Sequence, residues 1–464
     1  MATSRSAVMA LTGLKESFSV YTYGARCDGQ ARYDVACTNV ANSVITVSDS
    51  GHAFTSTDVG KVCGILPYTD TGLTPRWGTI TAVTGATTCV TSLSAAPGAL
   101  SGATFVYGTD DTSAVEAAIT AAKAVYGTVY VPAGITCLIR VLVVPSGVTL
   151  MGAGNFATGG KAKDFRHWGA NLVLLKAETA EAFVTLGDLG DASPRGATLC
   201  NVNVDCLNLA PTAVSGLGAR TNHIRDSTIL RGANSQTVSS GATGVIYGCC
   251  ILGQNTSNVV VMHGDSRIIN CSVTGAGNGF FGIKTSNGDD VLIMGNHIWK
   301  DGVATTMLGG AVWLSHNSGN LVGGGVAVVG NKFDTSYGPH IKISGTGNST
   351  GRGAVISGNI GMQSDAVPNA TYPFIELSIG AGSVFRGLVI QSNQGRGSWN
   401  DPTKGQYTYF IDGSGTAGNI YGSCVGGNVI DNCTDMYLGF TPDHDLGNIT
   451  IAGTGTVLNK SVLT

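Results

Sequence analysis

The stretch that decides the fold is VLIMGNHI (291–298), which recurs as VAVVGNKF (326–333), AVISGNI (354–360), LVIQSNQ (388–394) and VGGNVI (425–430). In each copy an apolar β segment is followed by a small residue and then by Asn. Segments from about residue 200 carry Cys or Ser in that place, so the marked positions are Cys206, Ser227, Cys249, Cys271, Asn296, Asn331, Asn359, Asn393 and Asn428. The marks recur roughly every 20 to 35 residues, which is typical of a solenoid built from coils of short strands.

Stacked coils also explain the marked residues themselves. In a parallel β-helix, equivalent residues of neighbouring coils lie about 4.8 Å apart. Inward-facing Asn side chains at a bend can then form a hydrogen-bonded ladder. Cys206, Cys249 and Cys271 would fill the same place as buried free thiols, since free Cys behaves as a small apolar residue.

The composition agrees with coils and tight corners. The chain has 68 Gly among its 464 residues and only 12% charged residues, against roughly 25% in ordinary soluble domains. Disorder is not expected, because 43% of the residues are hydrophobic and must be buried.

Charge, hydropathy and cysteine spacing argue against a nucleic-acid-binding, membrane-spanning or zinc protein. With 26 Lys+Arg against 29 Asp+Glu, the net charge of -3 gives no basis for nucleic acid binding. No run of about 18 apolar residues predicts a membrane span, and the twelve cysteines show no zinc spacing. We expect no metal and no cofactor.

The apolar run in MATSRSAVMALTGLKES (1–17) is too short for a secretory signal, so we expect a cytosolic product or another route of export.

Two segments near the start have the strongest motif content in the chain: YGARCDG (23–29) and GTDDTSAVEAAITAAKAVYGTVYVPAG (108–134). The second predicts a helix capped by Asp110, Asp111 or Thr112 that ends at Gly127. Its buried face would be Val115, Ala118, Ile119 and Ala122, and it would plug the end of the solenoid core. Between the segments, short alternating strands predict a small inserted β subdomain. The predicted divisions are an N-terminal tail (1–22), the signature start with its insertion (23–107), and the capping helix with the β-helix (108–464).

These two segments resemble the N-terminal signature of the pectin-lyase-like superfamily, and within it the chain is similar to polygalacturonase-related proteins and phage tailspike depolymerases. The resemblance implies an all-β fold, a right-handed parallel β-helix, and a polysaccharide substrate. It also implies a homotrimer in a virion tail, in contact with other tail proteins, or an extracellular location. It does not identify the reaction, since the superfamily includes hydrolases, lyases, epimerases and non-catalytic adhesins.

A second strand repeats in the later coils as GIKTS (282–286), VWLSH (312–316), IKISG (341–345), IELSI (375–379) and IDGSG (411–415). Aligning them stacks one apolar position inward and the next position outward. The outward column is Lys284, Trp313, Lys342, Glu376 and Asp412. A Trp face can stack on a sugar ring, lysines can bind acidic groups, and two carboxylates about 5 Å apart can act as in a retaining glycosidase. The alternative is a solvated ion-pair ladder in which Lys342 neutralises Glu376.

A second carboxylate group lies on the turns before the Asn ladder. Asp265 and Asp290 each come six residues before their coil's mark and should stack, with Asp289, His263 and Lys284 nearby. Such a pair could serve as general acid and base. This GDD resembles the Asp-Asp element of polygalacturonases, but their Gly-His-Gly and Asn-Thr-Asp elements do not occur here. The alternative is an ordinary Gly-Asp turn.

Arginines complete the candidate binding residues. Arg352 and Arg386 each come seven residues before their coil's mark, in the predicted column of Asp289. They could bind anionic sugar substituents or keep the coil edge soluble.

Together these patterns predict a tailspike-like depolymerase that hydrolyses a bacterial capsular, exo- or O-antigen polysaccharide. Glu376 and Asp412 are the leading catalytic pair, with Asp265, Asp289 and Asp290 as the second choice. Trp313, Lys342, Lys284, Arg352, Arg386 and His263 would bind the chain. The alternatives are a lyase acting on a uronate-containing glycan and a non-catalytic adhesin or tail-fibre module.

Overall fold

The computed structural model describes most of the chain in many short ranges. They are 16–40, 44–49, 53–66, 76–93, 100–154, 170–174, 182–188, 196–207, 209–216, 221–230, 232, 236–253, 257–275, 279–286, 290–299, 309–316, 325–336, 338–345, 350–363, 372–396, 407–416, 418–431, 433–439, 442–446, 448–451 and 457–460.

Three long sheets wind around one core and form the predicted right-handed parallel β-helix. One coil runs through sheet 1, then sheet 2, then sheet 3, as in Val245–Tyr247, Cys250–Leu252 and Asn258–Met262. All described pairings between coils are parallel, except that Ile449–Ile451 pairs with Val457–Lys460 in antiparallel fashion. The all-β prediction is therefore confirmed.

The strands of sheet 1 are Ser17–Ser19, Thr128–Val131, Thr149–Gly152, Thr198–Cys200, His223–Arg225, Val245–Tyr247, Arg267–Ile269, Leu292–Met294, Val326–Val329, Thr350–Ser357, Val384–Gln391, Asn419–Tyr421, Cys424–Gly426 and His444–Leu446. Those of sheet 2 are Ile135–Ile139, Ala170–Leu174, Asn203–Asp205, Thr228–Leu230, Cys250–Leu252, Ser272–Thr274, His297–Trp299, Lys332–Ser336, Ile360–Gln363, Gln394–Arg396, Val429–Asp431, Ile449–Ile451 and Val457–Lys460. Those of sheet 3 are Leu142–Val144, Ala182–Leu186, Thr212–Ser215, Gln236–Ser239, Asn258–Met262, Ile283–Thr285, Val312–His316, Ile341–Gly345, Ile375–Ile379, Tyr407–Asp412 and Cys433–Leu438.

A separate closed barrel with its own small core occupies the predicted insertion. Its antiparallel pairs join Gln30–Val40, Val44–Ser48, Val62–Leu66, Arg76–Gly85, Thr88–Thr91 and Leu100–Gly108. Short 3-10 helices lie at Val20–Tyr23 and Ser56–Asp58. The domain boundaries at 22/23 and 107/108 stay a prediction.

Helix α1 (Thr112–Val125) follows the barrel and buries the four predicted residues Val115, Ala118, Ile119 and Ala122. Of the three predicted capping residues, Asp110 bonds to the first turn. Asp110 Oδ1 accepts a hydrogen bond from Thr112 N at 3.1 Å. Asp111 instead accepts from the backbone N–H groups of Arg26 and Cys27 at 2.6 and 2.9 Å. The helix start is thus connected to the YGARCDG segment, and no helix in the described ranges is long and apolar enough to span a bilayer.

A disulfide joins the same segment to the first coil. Cys27 is bonded to Cys137, which lies in the strand Ile135–Ile139 of sheet 2. No sequence spacing indicated this pair, because 110 residues separate the two cysteines.

The Asn ladder exists and runs along the start of sheet 2. Each Asn side chain accepts from the backbone N–H of the preceding coil's Asn, at 2.9 to 3.1 Å, from Asn331 to Asn448. Asn448 adds a rung that the sequence pattern did not reveal. Cys271 and Cys249 extend the column as predicted, with Cys271 N donating to Asn296 Oδ1 at 2.9 Å.

The register proposed for Cys206 is wrong. Asn203 pairs with Thr228, so Val202 is the coil neighbour of Ser227 and its N–H donates to Ser227 Oγ at 3.4 Å. Cys206 lies four residues further on, where its thiol donates to Ala210 O at 3.5 Å. The prediction that Cys206, Cys249 and Cys271 are buried free thiols is confirmed.

Aromatic rings fill the later coils. The His340 ring lies 5.4 Å from that of Phe333 and 5.0 Å from that of Phe374, and its Nε2 is 2.7 Å from Tyr407 Oη. Gly361 makes this possible, because a Cβ there would lie 2.4 Å from His340 Cδ2. The imidazole is fully buried.

Burial of His340 predicts acid lability. Desolvation lowers the pKa of His340 from 6.5 to about 3, although the charge of Asp334 acts weakly in the opposite direction. Below pH 6.5 the His340 imidazole is therefore protonated in the unfolded chain but stays neutral in the folded chain. The free energy of unfolding should fall by about 1.4 kcal/mol per pH unit as the pH drops from 6.5 toward 3.

The check is the midpoint of urea unfolding at several pH values between 7 and 4. His340→Gln should flatten this dependence, whereas His444→Gln, at an exposed position, should leave it as in the wild type. Equal pH dependence in the wild type and His340→Gln would contradict the assignment.

Candidate functional site

The outward column of sheet 3 forms in the predicted order. Strand pairing joins Lys284 to Trp313, Trp313 to Lys342, Lys342 to Glu376 and Glu376 to Asp412. The residue before each of them is buried in the core and stacks in the same way: Ile283, Val312, Ile341, Ile375 and Ile411. The alternation of a strand therefore presents the five predicted site residues on one face. We call these five the sheet 3 column.

Trp313 is half-buried and held on several sides. Its Nε1 donates to Ser344 Oγ at 2.7 Å, and the Phe281 ring lies 5.4 Å away. The Lys284 ammonium lies 4.0 Å from the centre of the indole. Desolvation there lowers the pKa of Lys284. This cation–π contact places the ammonium over one face of the indole and holds both groups in position.

The carboxylates of the column have different partners. Glu376 Oε1 lies 2.7 Å from Lys342 Nζ, and their side chains are 30% and 27% exposed. Asp412 Oδ1 accepts from Ser414 N at 2.8 Å. The Lys342–Glu376 contact is the ion pair that the sequence left open as an alternative. A substrate that offers its own partner to Lys342 would release Glu376.

Asp265 and Asp290 occupy equivalent turn positions, both exposed and both with left-handed backbone, φ 58° and 49°. The same place, six residues before the mark, is left-handed in other coils, at Thr221, Thr243, Gly353, Gly387 and Gly422. Asp290 Oδ1 accepts from Gly325 N at 2.8 Å. Asp is well tolerated in such turns, so this geometry favours the turn interpretation. Asp289 lies outside the described residues.

His263 follows a strand of sheet 3, on the same turn as Asp265. Its Nε2 is 3.1 Å from Ser239 Oγ, and its backbone N–H donates to Ser240 Oγ at 3.0 Å. Burial lowers the pKa of His263, so the neutral imidazole is favoured.

Arg352 and Arg386 lie on sheet 1, where they are paired neighbours and exposed. The Arg386 guanidinium carbon lies 5.1 Å from the centre of the Tyr421 ring, its neighbour in the next coil. The structure thus places them on a different sheet from Glu376 and Asp412.

Sequence reasoning missed a polar cluster on sheet 2. Asp334 Oδ2 lies 2.7 Å from Lys332 Nζ and 2.9 Å from His297 Nε2. Burial alone would raise the pKa of Asp334, but the hydrogen bonds and charges of Lys332 and His297 bring it below its usual value. Applying strand alternation to GNHIW and GNKFD would have predicted these outward side chains.

Comparison with known proteins bears on the fold. No protein-family model matches the chain, and no curated protein matches it. Among solved structures, a mutant tailspike protein of E. coli bacteriophage HK620 in complex with a pentasaccharide matches with a TM-score of 0.52 and 15% identity, over 74% of this chain and 62% of that one.

Two further matches have lower TM-scores. The A-module of the Azotobacter vinelandii mannuronan C-5 epimerase AlgE6 matches with a TM-score of 0.46 and 16% identity, over 74% of this chain and 95% of that one. A GH87 alpha-1,3-glucanase catalytic domain in complex with tetrasaccharides matches with a TM-score of 0.47 and 11% identity, over 91% and 88%. The match to the HK620 tailspike protein supports the predicted parallel β-helix fold.

Proposed function

We propose that the chain is a polysaccharide depolymerase that hydrolyses glycosidic bonds of a bacterial surface polysaccharide. The observation that carries this proposal is the sheet 3 column, in which Lys284, Trp313, Lys342, Glu376 and Asp412 follow one another on five consecutive coils. A glycan lying along the helix axis would meet an aromatic surface, a cation and two carboxylates in turn. The tailspike neighbour, solved with a pentasaccharide, is consistent with a glycan ligand.

In the mechanism that we propose, Glu376 and Asp412 act on the same glycosidic bond. Their strands are direct neighbours, so a spacing near the rise of one coil, about 4.8 Å, is expected and suits a retaining mechanism. Asp412, fixed by the Ser414 N–H, would be the nucleophile. Glu376 would protonate the leaving oxygen and then activate water, after Lys342 has moved to a substrate group.

Binding would start at Trp313 and Lys284. A sugar ring would pack against the part of the indole that the Lys284 ammonium leaves open, and the ammonium can donate to hydroxyl or acidic groups. Asp265, Asp289 and Asp290 remain the second choice for catalysis, with His263 on the same turn as Asp265. Arg352 and Arg386 would contact only a substrate that extends onto sheet 1. The homotrimer and the virion tail or extracellular location belong to the same proposal and rest on the resemblance.

A second candidate function is non-catalytic glycan binding, as in an adhesin or tail-fibre module. The Lys342–Glu376 ion pair favours it, because a carboxylate engaged at 2.7 Å is already satisfied.

Product analysis tests the proposal. The wild-type protein is incubated with a panel of purified capsular, exo- and O-antigen polysaccharides. We expect one of them to shorten, with a rise in reducing ends and without the absorbance band of an unsaturated product. Shortening with that band would indicate a lyase, and binding without shortening would indicate the adhesin. Either result would refute hydrolysis.

A further inference from the structure

The outer face of sheet 2 carries a compact group of polar and aromatic side chains that the proposed catalytic column does not include. It is formed by the neighbouring strands Ser272–Thr274, His297–Trp299 and Lys332–Ser336. In the pairing, His297 stands beside Lys332 and Trp299 beside Asp334. We call these four residues the sheet 2 cluster.

Two rings of the cluster stack on each other with nearly parallel planes. The rings of His297 and Trp299 are 6.2 Å apart between centres and inclined by only 29°. Trp299 Nε1 donates to Ser272 Oγ at 3.0 Å, which holds the indole in place. Trp299 is half-buried, and the His297 side chain is 43% exposed. The rings are therefore fixed in position and open to solvent in part, which lowers the entropic cost of binding a ligand.

Hydrogen-bonding groups lie next to these rings. Asp334 Oδ2 lies 2.7 Å from Lys332 Nζ and 2.9 Å from His297 Nε2. The Lys332 side chain is 50% exposed, and an ammonium has three N–H donors. Both acceptors and donors thus stand beside an aromatic surface, which is what a hydroxyl-rich ring requires.

We infer that the sheet 2 cluster is a second glycan-binding site, which takes a neutral pyranose unit. The apolar side of the sugar would cover the exposed part of the Trp299 indole, and its hydroxyls would contact His297, Asp334 and Lys332. A neutral sugar fits better than an acidic one, because the charge of the Lys332 ammonium is already offset by Asp334, 2.7 Å away. The inference rests on the proposed function for its class of ligand. It does not depend on cleavage, since the cluster lies on a different sheet from Glu376 and Asp412.

The test measures binding in a full-length chain that cannot degrade the probe. The Glu376→Gln, Asp412→Asn double variant is applied to the same panel of purified bacterial polysaccharides by biolayer interferometry. Adding Trp299→Ala should weaken binding of a neutral polysaccharide by about tenfold or more, the loss expected for an aromatic contact worth about 1.4 kcal/mol. Tyr247→Ala is the matched control, because Tyr247 is an exposed aromatic residue on sheet 1.

The outcomes separate this inference from the proposed hydrolysis. Unchanged affinity on adding Trp299→Ala, a loss equal to that of Tyr247→Ala, or no binding to any neutral polysaccharide would overturn the second site. If Trp299→Ala does not fold, Asp334→Asn replaces it and should likewise weaken binding. Failure of hydrolysis would be seen separately, as a wild-type protein that produces no new reducing ends.

Discussion

Glu376→Gln and Asp412→Asn should each lower the rate of polysaccharide hydrolysis by about 10² to 10⁴-fold, the usual contribution of a positioned acid, base or nucleophile. Both substitutions retain the size of the side chain. Both positions are on strands whose neighbouring residues, Ile375 and Ile411, are buried in the core. The fold should therefore survive, and the loss should appear in kcat more than in KM.

Initial rates of reducing-end release provide the measurement. Asp265→Asn is the matched control, because Asp265 is an exposed carboxylate on a turn and should retain wild-type activity. Full activity of folded Glu376→Gln and Asp412→Asn would refute the assignment. Loss of activity in Asp265→Asn or Asp290→Asn alone would transfer the catalytic role to the turn carboxylates.

The sequence predicted the coils because each later coil repeats the same order of apolar strand residues and one polar residue. A polar residue that recurs beside apolar strand residues, as Asn331 and Asn359 do, must be buried and must find a partner in the next coil. The same alignment of strands predicted the sheet 3 column, since Ile341 and Ile375 mark the inward position in both coils.

The recurring Asn, Cys or Ser did not identify the ladder position in a coil where that position is apolar. At the first of these coils, Val202 occupies the ladder position, and a valine cannot be told from any other core residue. Cys206, four residues away, therefore appeared to be the mark. Likewise, Asn448 was missed because the strand before it, His444–Leu446, carries His and Asp instead of a run of apolar residues.

A contact that skips a coil was also beyond prediction. His340 Nε2 lies 2.7 Å from Tyr407 Oη, which is 67 residues away in sequence and two coils further along the solenoid. This contact depends on how many residues each coil has in its turns, which varies along the chain. The sequence does not show which residue two coils away a buried side chain contacts.

The buried ladder should be costly to interrupt, and Asn359→Ala is expected to lower the free energy of unfolding by about 4 kcal/mol. Asn359 Oδ1 accepts from both Asn331 N and Asn331 Nδ2 at 3.0 Å. Its Nδ2 donates to Val328 O and to Asn393 Oδ1, each at 2.9 Å. Alanine removes all four bonds inside a fully buried site, and each polar group left without a partner costs about 1 to 3 kcal/mol.

The loss should also be local, because each coil of a solenoid contacts only its neighbours. Hydrogen exchange should accelerate most at the amide of Asn331, whose acceptor Asn359 Oδ1 is removed, and little in the barrel of residues 30 to 108. Asn419→Ala is the control, since Asn419 is exposed and should change stability by no more than about 0.5 kcal/mol. Urea unfolding of the two variants gives the comparison. Equal stability would mean that the ladder sets the register of the coils without stabilising them.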